Sequence, residues 1–114
     1  MTGSWLVRLS DTADTDFAQI LAWTENQFGP AQAEAYEKIV RAAIRELGQG
    51  PNIRGVRARN DAEPGFLTLH VARHGRRARH FLLFRVAEQQ QRIEIIRILH
   101  DSMDLKRHLP RPEE

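Results

Sequence analysis

Five histidines, His70, His74, His80, His100 and His108, and seven arginines between residues 51 and 80 are the side chains here best suited to chemistry. Histidine gives or takes a proton near neutral pH, and arginine offers its charge to a phosphate or a carboxylate. Spacing disfavours metal binding. No His-x-x-x-His pair falls on a predicted helix. His70 and His74, on one face of a predicted strand, would stand about 13 Å apart along it. No metal or other cofactor is therefore expected. Nucleophilic catalysis finds as little support, because there is no cysteine, no Gly-x-Ser-x-Gly elbow and no Gly-rich phosphate loop. Ser102 stands near His100 and Asp104, but a triad is a spatial arrangement that close sequence neighbours rarely make. Asp101 and Asp104 suit turn capping better. RNA cleavage by general acid–base chemistry stays open. It would draw on Arg73, His74, Arg79, His80, Arg97 and His100 of the predicted strands, with arginine steadying the phosphorane charge and histidine moving protons. Those strands hold no tyrosine, since Tyr36 falls on a predicted helix. Arg73 and Arg79 read equally well as a solvated strand edge, and His100 as a strand-end histidine bonded to backbone.

Arg97 is harder to place. In "IEIIRILHDSMD", residues 93–104, even spacing puts Ile93, Ile95, Arg97 and Leu99 on one side of a strand. An arginine there must reach water, pair with a carboxylate or serve a site, because a buried unpaired charge costs several kcal/mol.

The charge is unevenly spread. The 114 residues carry a net +2, with −3 over residues 1–50, +5 over 51–80 and zero over 81–114. The basic excess is all arginine, which points to an anionic partner, nucleic acid or an acidic protein segment, or else to a solubilising surface. The length suits one domain with its own core. No apolar run reaches the length of a bilayer span, and no leader-like start is present. With no cysteine to suggest an oxidising compartment, a cytoplasmic location away from membranes is expected.

The elements that must position these residues follow from periodicity. Trp5 to Leu9 alternates as a short strand. "SDTADTD" is rich in helix-starting residues, with Asp14 and Asp16 placed to favour the positive end of a helix dipole. Phe17, Ile20, Leu21, Thr24 and Phe28 form one stripe of that helix. Gly29 suits its C-cap and Pro30 the first turn of the next helix. Ala33, Tyr36, Val40, Ala43, Ile44 and Leu47 line the second helix, which "GQGP" ends. Residues 52–65 read as a loop, with a short extended piece around Ile53 to Val56. "FLTLHVARH", "RHFLLFRVA" and "IEIIRILH" then read as three strands joined by short turns, the middle one apolar on both faces like a central strand. The order β-α-α-β-β-β predicts an α+β domain over residues 1–109, its helical hairpin packed on a small antiparallel sheet, with 110–114 as a tail.

Three segments, "WTENQFGPAQAEAYEKIVRAAIRELGQGPNIRG", "ARHFLLFRV" and "IEIIRILHDSMDLKRHL", resemble the ParE branch of the RelE/ParE toxins of bacterial type II toxin–antitoxin systems. The resemblance runs from about Trp5 to Leu109 and is most specific at its end. It implies the fold just derived. It also implies a toxin that inhibits DNA gyrase by binding, as characterised ParE-like members do. RelE-like members instead cut mRNA on the ribosome, using basic sheet residues with a Tyr or His. For that activity the set would be Arg73, Arg79, His80, Arg97 and His100. Phe84 stands where many relatives carry a strand tyrosine, which favours the ParE-like reading. The implied partner is a cognate antitoxin that forms hetero-oligomers with the toxin and alone contacts operator DNA. An acidic segment of it would meet the arginine-rich stretch. The residues expected to meet antitoxin or target are thus Arg57, Arg59, Arg73, Arg76 and Arg77, with Arg97, His100, Met103 and Asp104 of the family-specific ending.

Overall fold

Ser10 is where the first strand turns into the first helix. Its backbone is extended, at φ −65° and ψ 165°, and its Oγ accepts the Ala13 N–H, the role of a helix N-cap. The same Oγ donates to the Ile96 carbonyl at 2.9 Å, and the Ser10 N–H donates to Ile95 O at 2.9 Å. One side chain thus starts a helix and ties it to the last strand. The computed structural model describes residues 4–59 and 65–102. Met103, Asp104, His108 and the tail expected over 110–114 lie outside the described residues.

Strand β1, Leu6–Leu9, leads through Ser10 into helix α1, Asp11–Phe28, and helix α2, Pro30–Leu47. Gly29 joins the helices with φ +94°, a conformation that side chains disfavour, and its N–H closes α1 on Glu25 O at 2.8 Å. Strands β2 (Arg57–Ala58), β3 (Leu67–His70), β4 (His80–Ala87) and β5 (Arg92–His100) follow. The sheet order is β1-β5-β4-β3-β2. The expected α+β order and helical hairpin are present. The sheet is mixed rather than purely antiparallel, because β1 pairs in parallel with β5. Periodicity marks which residues share a face but not which strand lies alongside, so this pairing was invisible in the sequence. The extended piece expected around Ile53 to Val56 is instead the two residues of β2, just beyond it.

Two apolar clusters lie on the two faces of the sheet. Phe17, Val40, Ala43 and Leu47 of the helices pack on Leu82, Phe84, Ile93, Ile95 and Ile98. Phe66, Phe81, Leu83, Ile96 and Leu99 form the second cluster. Phe81 to Phe84 are all buried, so β4 is the central strand its composition predicts. Strict alternation fails on β5. Leu83 pairs with Arg97, yet Phe84 pairs with Ile95, which leaves Ile96 as an extra residue in a bulge. The bulge reverses the phase. Leu99, grouped with Ile93 and Ile95 by spacing, belongs to the opposite face. The helical stripe also ends early, for Phe28 is 62% exposed and stacks edge-on with the exposed Trp23.

Asp16 answers the question raised by Arg97. It does not serve the helix dipole. Its carboxylate takes Arg97 Nε at 2.8 Å and Nη2 at 3.0 Å, a bidentate pair, and also the Ile98 N–H at 3.0 Å. The pair is largely shielded, with 24% of the Arg97 side chain and 11% of the Asp16 side chain exposed. Removing one partner strands the other, which costs about 3 kcal/mol for shielded pairs. Arg97→Ala should therefore lower the urea midpoint by an amount equivalent to about 3 kcal/mol. Arg76→Ala, at an exposed turn position, should stay within about 0.5 kcal/mol of the parent. An unchanged midpoint for Arg97→Ala would show that the pair does not hold α1 to β5.

Candidate functional site

β3 ends, β4 begins and β5 ends at one edge of the sheet, and each contributes a histidine there: His70, His80 and His100. Antiparallel register makes His80 and His100 direct partners, and their rings meet edge to face at 5.2 Å between centroids. The segment expected to run as strand to His74 stops at His70. Residues 71–79 form a longer connection in which His74 takes φ +56°. The cause is Arg73. Its Nε binds Glu46 of α2 at 2.8 Å and its Nη1 binds the Arg54 carbonyl at 2.7 Å, drawing the chain off the sheet. Gly55 makes room for it, since a Cβ there would lie 2.6 Å from Arg73 Nη1. His74 Nε2 joins Glu46 at 3.0 Å, so His70 and His74 part company. Burial opposes ionisation of Glu46, but the Arg73 and His74 hydrogen bonds outweigh it and hold the carboxyl below its usual range.

Tyr36 of α2 reaches this sheet end. Its Oη lies 2.7 Å from His80 Nδ1 and accepts the Arg79 N–H at 3.0 Å. With that N–H as donor, the phenol proton goes to Nδ1, so His80 is assigned the Nε2–H tautomer. The other two rings are fixed the same way. His70 Nδ1 accepts the Ala72 N–H and its Nε2–H donates to Asp101 Oδ2 at 3.0 Å. His100 Nδ1 accepts the Ser102 N–H at 3.1 Å and lies 2.7 Å from Ser102 Oγ. Asp101 also receives Arg79, at 3.1 Å from both Nε and Nη2 to Oδ1. Hydrogen bonds from His70, then from Arg79, hold Asp101 down to about 2. Burial, reinforced by the nearby His100, holds His80 down to about 4. Burial raises Tyr36 above the ordinary phenol value.

Every imidazole lone pair in the cluster is engaged at Nδ1, while Nε2–H of His80 and His100 has no partner among the described residues. The arginines named for cleavage are dispersed: Arg73 is on Glu46, Arg97 on Asp16, and only Arg79 stands beside the histidines. The Arg79 side chain is 68% exposed, so its ion pair is weak and exchangeable. Arg57 is exposed on the edge strand β2. Arg59 follows it, with its N–H on Phe66 O, and Arg76 and Arg77 are exposed in the β3–β4 connection. Tyr36, His70 and Asp101 are the members that strand-by-strand reading missed. A signal existed for Tyr36, because a tyrosine on an apolar helix face needs a partner for its hydroxyl. Among the described residues no group of three His, Asp or Glu side chains converges to hold a metal ion, and no helix is long and apolar enough to cross a membrane.

Residues 7–105 match the model of a family described as the ParE toxin of type II toxin–antitoxin system, parDE. The chain is 29% identical over 102 residues to Toxin ParE1 of Caulobacter vibrioides, covering 90% of this chain and 95% of that protein. It is 31% identical over 101 residues to Toxin ParE1 of Mycobacterium tuberculosis, covering 89% and 94%. Among solved structures, a chain of the chromosomal ParDE system from P. aeruginosa superposes with a TM-score of 0.70 at 23% identity, covering 84% of this chain and 95% of that one. A chain of the RelBE2 toxin–antitoxin complex from Mycobacterium tuberculosis gives 0.56 at 20% identity, covering 88% and 94%. At these identities the structures support the fold.

The sheet-end cluster carries a pH signature. His80 titrates near 4 in the folded state against 6.5 when exposed, so the unfolded chain binds the extra proton between those values. Stability is therefore full above pH 6.5 and falls as pH drops toward 4. Asp101 adds its own loss only at lower pH, as it protonates from 3.8 down to about 2. Urea unfolding across this range should show the decline, and His80→Gln should flatten the upper part of it. A parent protein of constant stability from pH 6.5 to 4 would contradict the assignment.

Proposed function

This chain belongs to the ParE toxin family of type II toxin–antitoxin systems, and on that premise we propose that it arrests growth by binding and inhibiting DNA gyrase. In this reading it does no chemistry of its own. It acts in the cytoplasm, and a cognate antitoxin neutralises it in a hetero-oligomer. The gyrase target rests on the resemblance to ParE-like members. The observation that carries the non-enzymatic part is the state of the sheet end. Its imidazole lone pairs are engaged, and Arg73 and Arg97 are held by carboxylates elsewhere in the fold. A nuclease needs a base within reach of the ribose hydroxyl and free cations around the phosphate. A binding inhibitor needs neither. His100, Met103 and Asp104, with Arg59 and the exposed Arg57, Arg76 and Arg77, remain the residues proposed to contact the target.

One observation favours a second reading. Tyr36 brings to His80 the phenol that the strands lack, 2.7 Å away, with Arg79 and His100 alongside. A ribosome-dependent mRNA endonuclease would use that group if binding to the ribosome released His80 Nδ1 from the tyrosine. Two assays separate the readings. Purified toxin should block supercoiling by DNA gyrase in vitro and induce the DNA-damage response on expression. Toeprinting on translating ribosomes should show no new cleavage. Full supercoiling activity at excess toxin would defeat the gyrase reading, and new toeprints lost in Tyr36→Phe would establish the nuclease.

A further inference from the structure

Three arginines without carboxylate partners among the described residues lie outside the arginine-rich stretch, together on the sheet. On the sheet face away from the helices, Arg8 of β1, Glu94 of β5 and Arg85 of β4 form one cross-strand row. Arg92 lies two residues along β5 on the same face. With Ser10 and Asp11 these side chains line an open cleft of about 520 Å³. Among the described residues none of the three arginines comes within 4.0 Å of a carboxylate, Glu94 included. Arg85 instead lies over the Phe66 ring, 5.5 Å from its centroid. Within the arginine-rich stretch Arg73 and Arg79 have carboxylates, while Arg54, Arg57, Arg76 and Arg77 are exposed in loops or on the two-residue edge strand rather than in a row across the sheet.

We propose that this cleft binds an acidic peptide segment of a protein partner, with its carboxylates on Arg8, Arg85 and Arg92. Three guanidiniums on adjacent strands of one sheet are held at fixed spacing and suit bidentate carboxylate recognition. Glu94 selects against nucleic acid. A phosphate backbone is charged at every residue and would lay negative charge over Glu94. A peptide can place acids over the arginines and a hydroxyl, amide or ammonium donor over Glu94. The proposal rests on the toxin–antitoxin reading only for which protein supplies the segment: the antitoxin. It moves the expected meeting place of that acidic segment from residues 51–80 to the β1–β5–β4 face.

The test needs neither gyrase nor antitoxin. Nitrogen-15-labelled full-length protein is titrated with a short peptide alternating glutamate and serine, while backbone amides and arginine Nε–H signals are followed. Saturable shifts are expected at Arg8, Arg85, Arg92 and Glu94, weakening as salt is added. Arg8→Glu/Arg85→Glu should reduce affinity about tenfold or more, and Arg76→Glu/Arg77→Glu should leave it unchanged. Arg8, Arg85, Arg76 and Arg77 are all exposed, so both variants should keep the parent spectrum elsewhere. Shifts centred on Arg76 and Arg77, no saturable shifts, or tighter binding of single-stranded DNA of equal charge in the cleft would each overturn the proposal. A gyrase assay that fails while this titration succeeds leaves the cleft standing and removes only the target.

Discussion

Asp16 sits in the second turn of α1, where a carboxylate gains little from the helix dipole, and it is almost wholly buried. What holds it there is Arg97 together with the Ile98 N–H. β1 ends at Leu9, so the edge of β5 beyond Ile95 needs other partners. Ser10 donates to the Ile95 and Ile96 carbonyls, and Asp16 accepts the Ile98 N–H. Helix α1 is thus fixed to β5 at two points. Through the tight Gly29 joint, α2 is then placed as well.

Everything at the sheet end depends on that placement. Tyr36 and Glu46 both come from α2, ten residues apart, and each reaches a different part of the β3–β4 connection. Glu46 pulls Arg73 and His74 away from the strand. Tyr36 accepts the Arg79 N–H and donates its hydroxyl hydrogen bond to His80 Nδ1. A shift of α2 by one turn, about 5.4 Å, would break both sets together. The hairpin is therefore the scaffold that decides which side chains of the sheet are free.

The helices were legible almost residue by residue. Ser10, the Phe28–Gly29–Pro30 joint and Gly48 carry local signals whose physics is complete within a few residues. The existence of three long strand segments was legible for the same reason, and so was the buried middle one. The bulge was not, because one inserted residue in a run of isoleucines leaves no local mark. Nor was the shortness of β3. The residue that ends it, Arg73, is drawn off by a carboxylate 27 positions earlier. Arg97 was visible as an anomaly whose partner lay 81 residues away. The candidate site split along the same line. His80 and His100 were nameable because they sit on strands that alternate. His70 and Asp101 joined them through contacts that no spacing encodes, and Tyr36 through a hydroxyl whose need of a partner was legible though the partner was not.

Arginine count and arginine availability turn out to be different quantities. The stretch from 51 to 80 carries the formal excess, yet two of its arginines, Arg73 and Arg79, are spent within the fold, on Glu46, Asp101 and the Arg54 carbonyl. The region from 81 onward, neutral by count, contributes Arg85 and Arg92, which have no carboxylate partner among the described residues. Arg73 and Arg79 each join an acid on a neighbouring element, while Arg8, Arg85 and Arg92 leave their field to solvent or a partner. At ordinary ionic strength that field reaches only about 8 to 10 Å. A partner therefore senses the local row of Arg8, Glu94 and Arg85, not the composition of a distant loop.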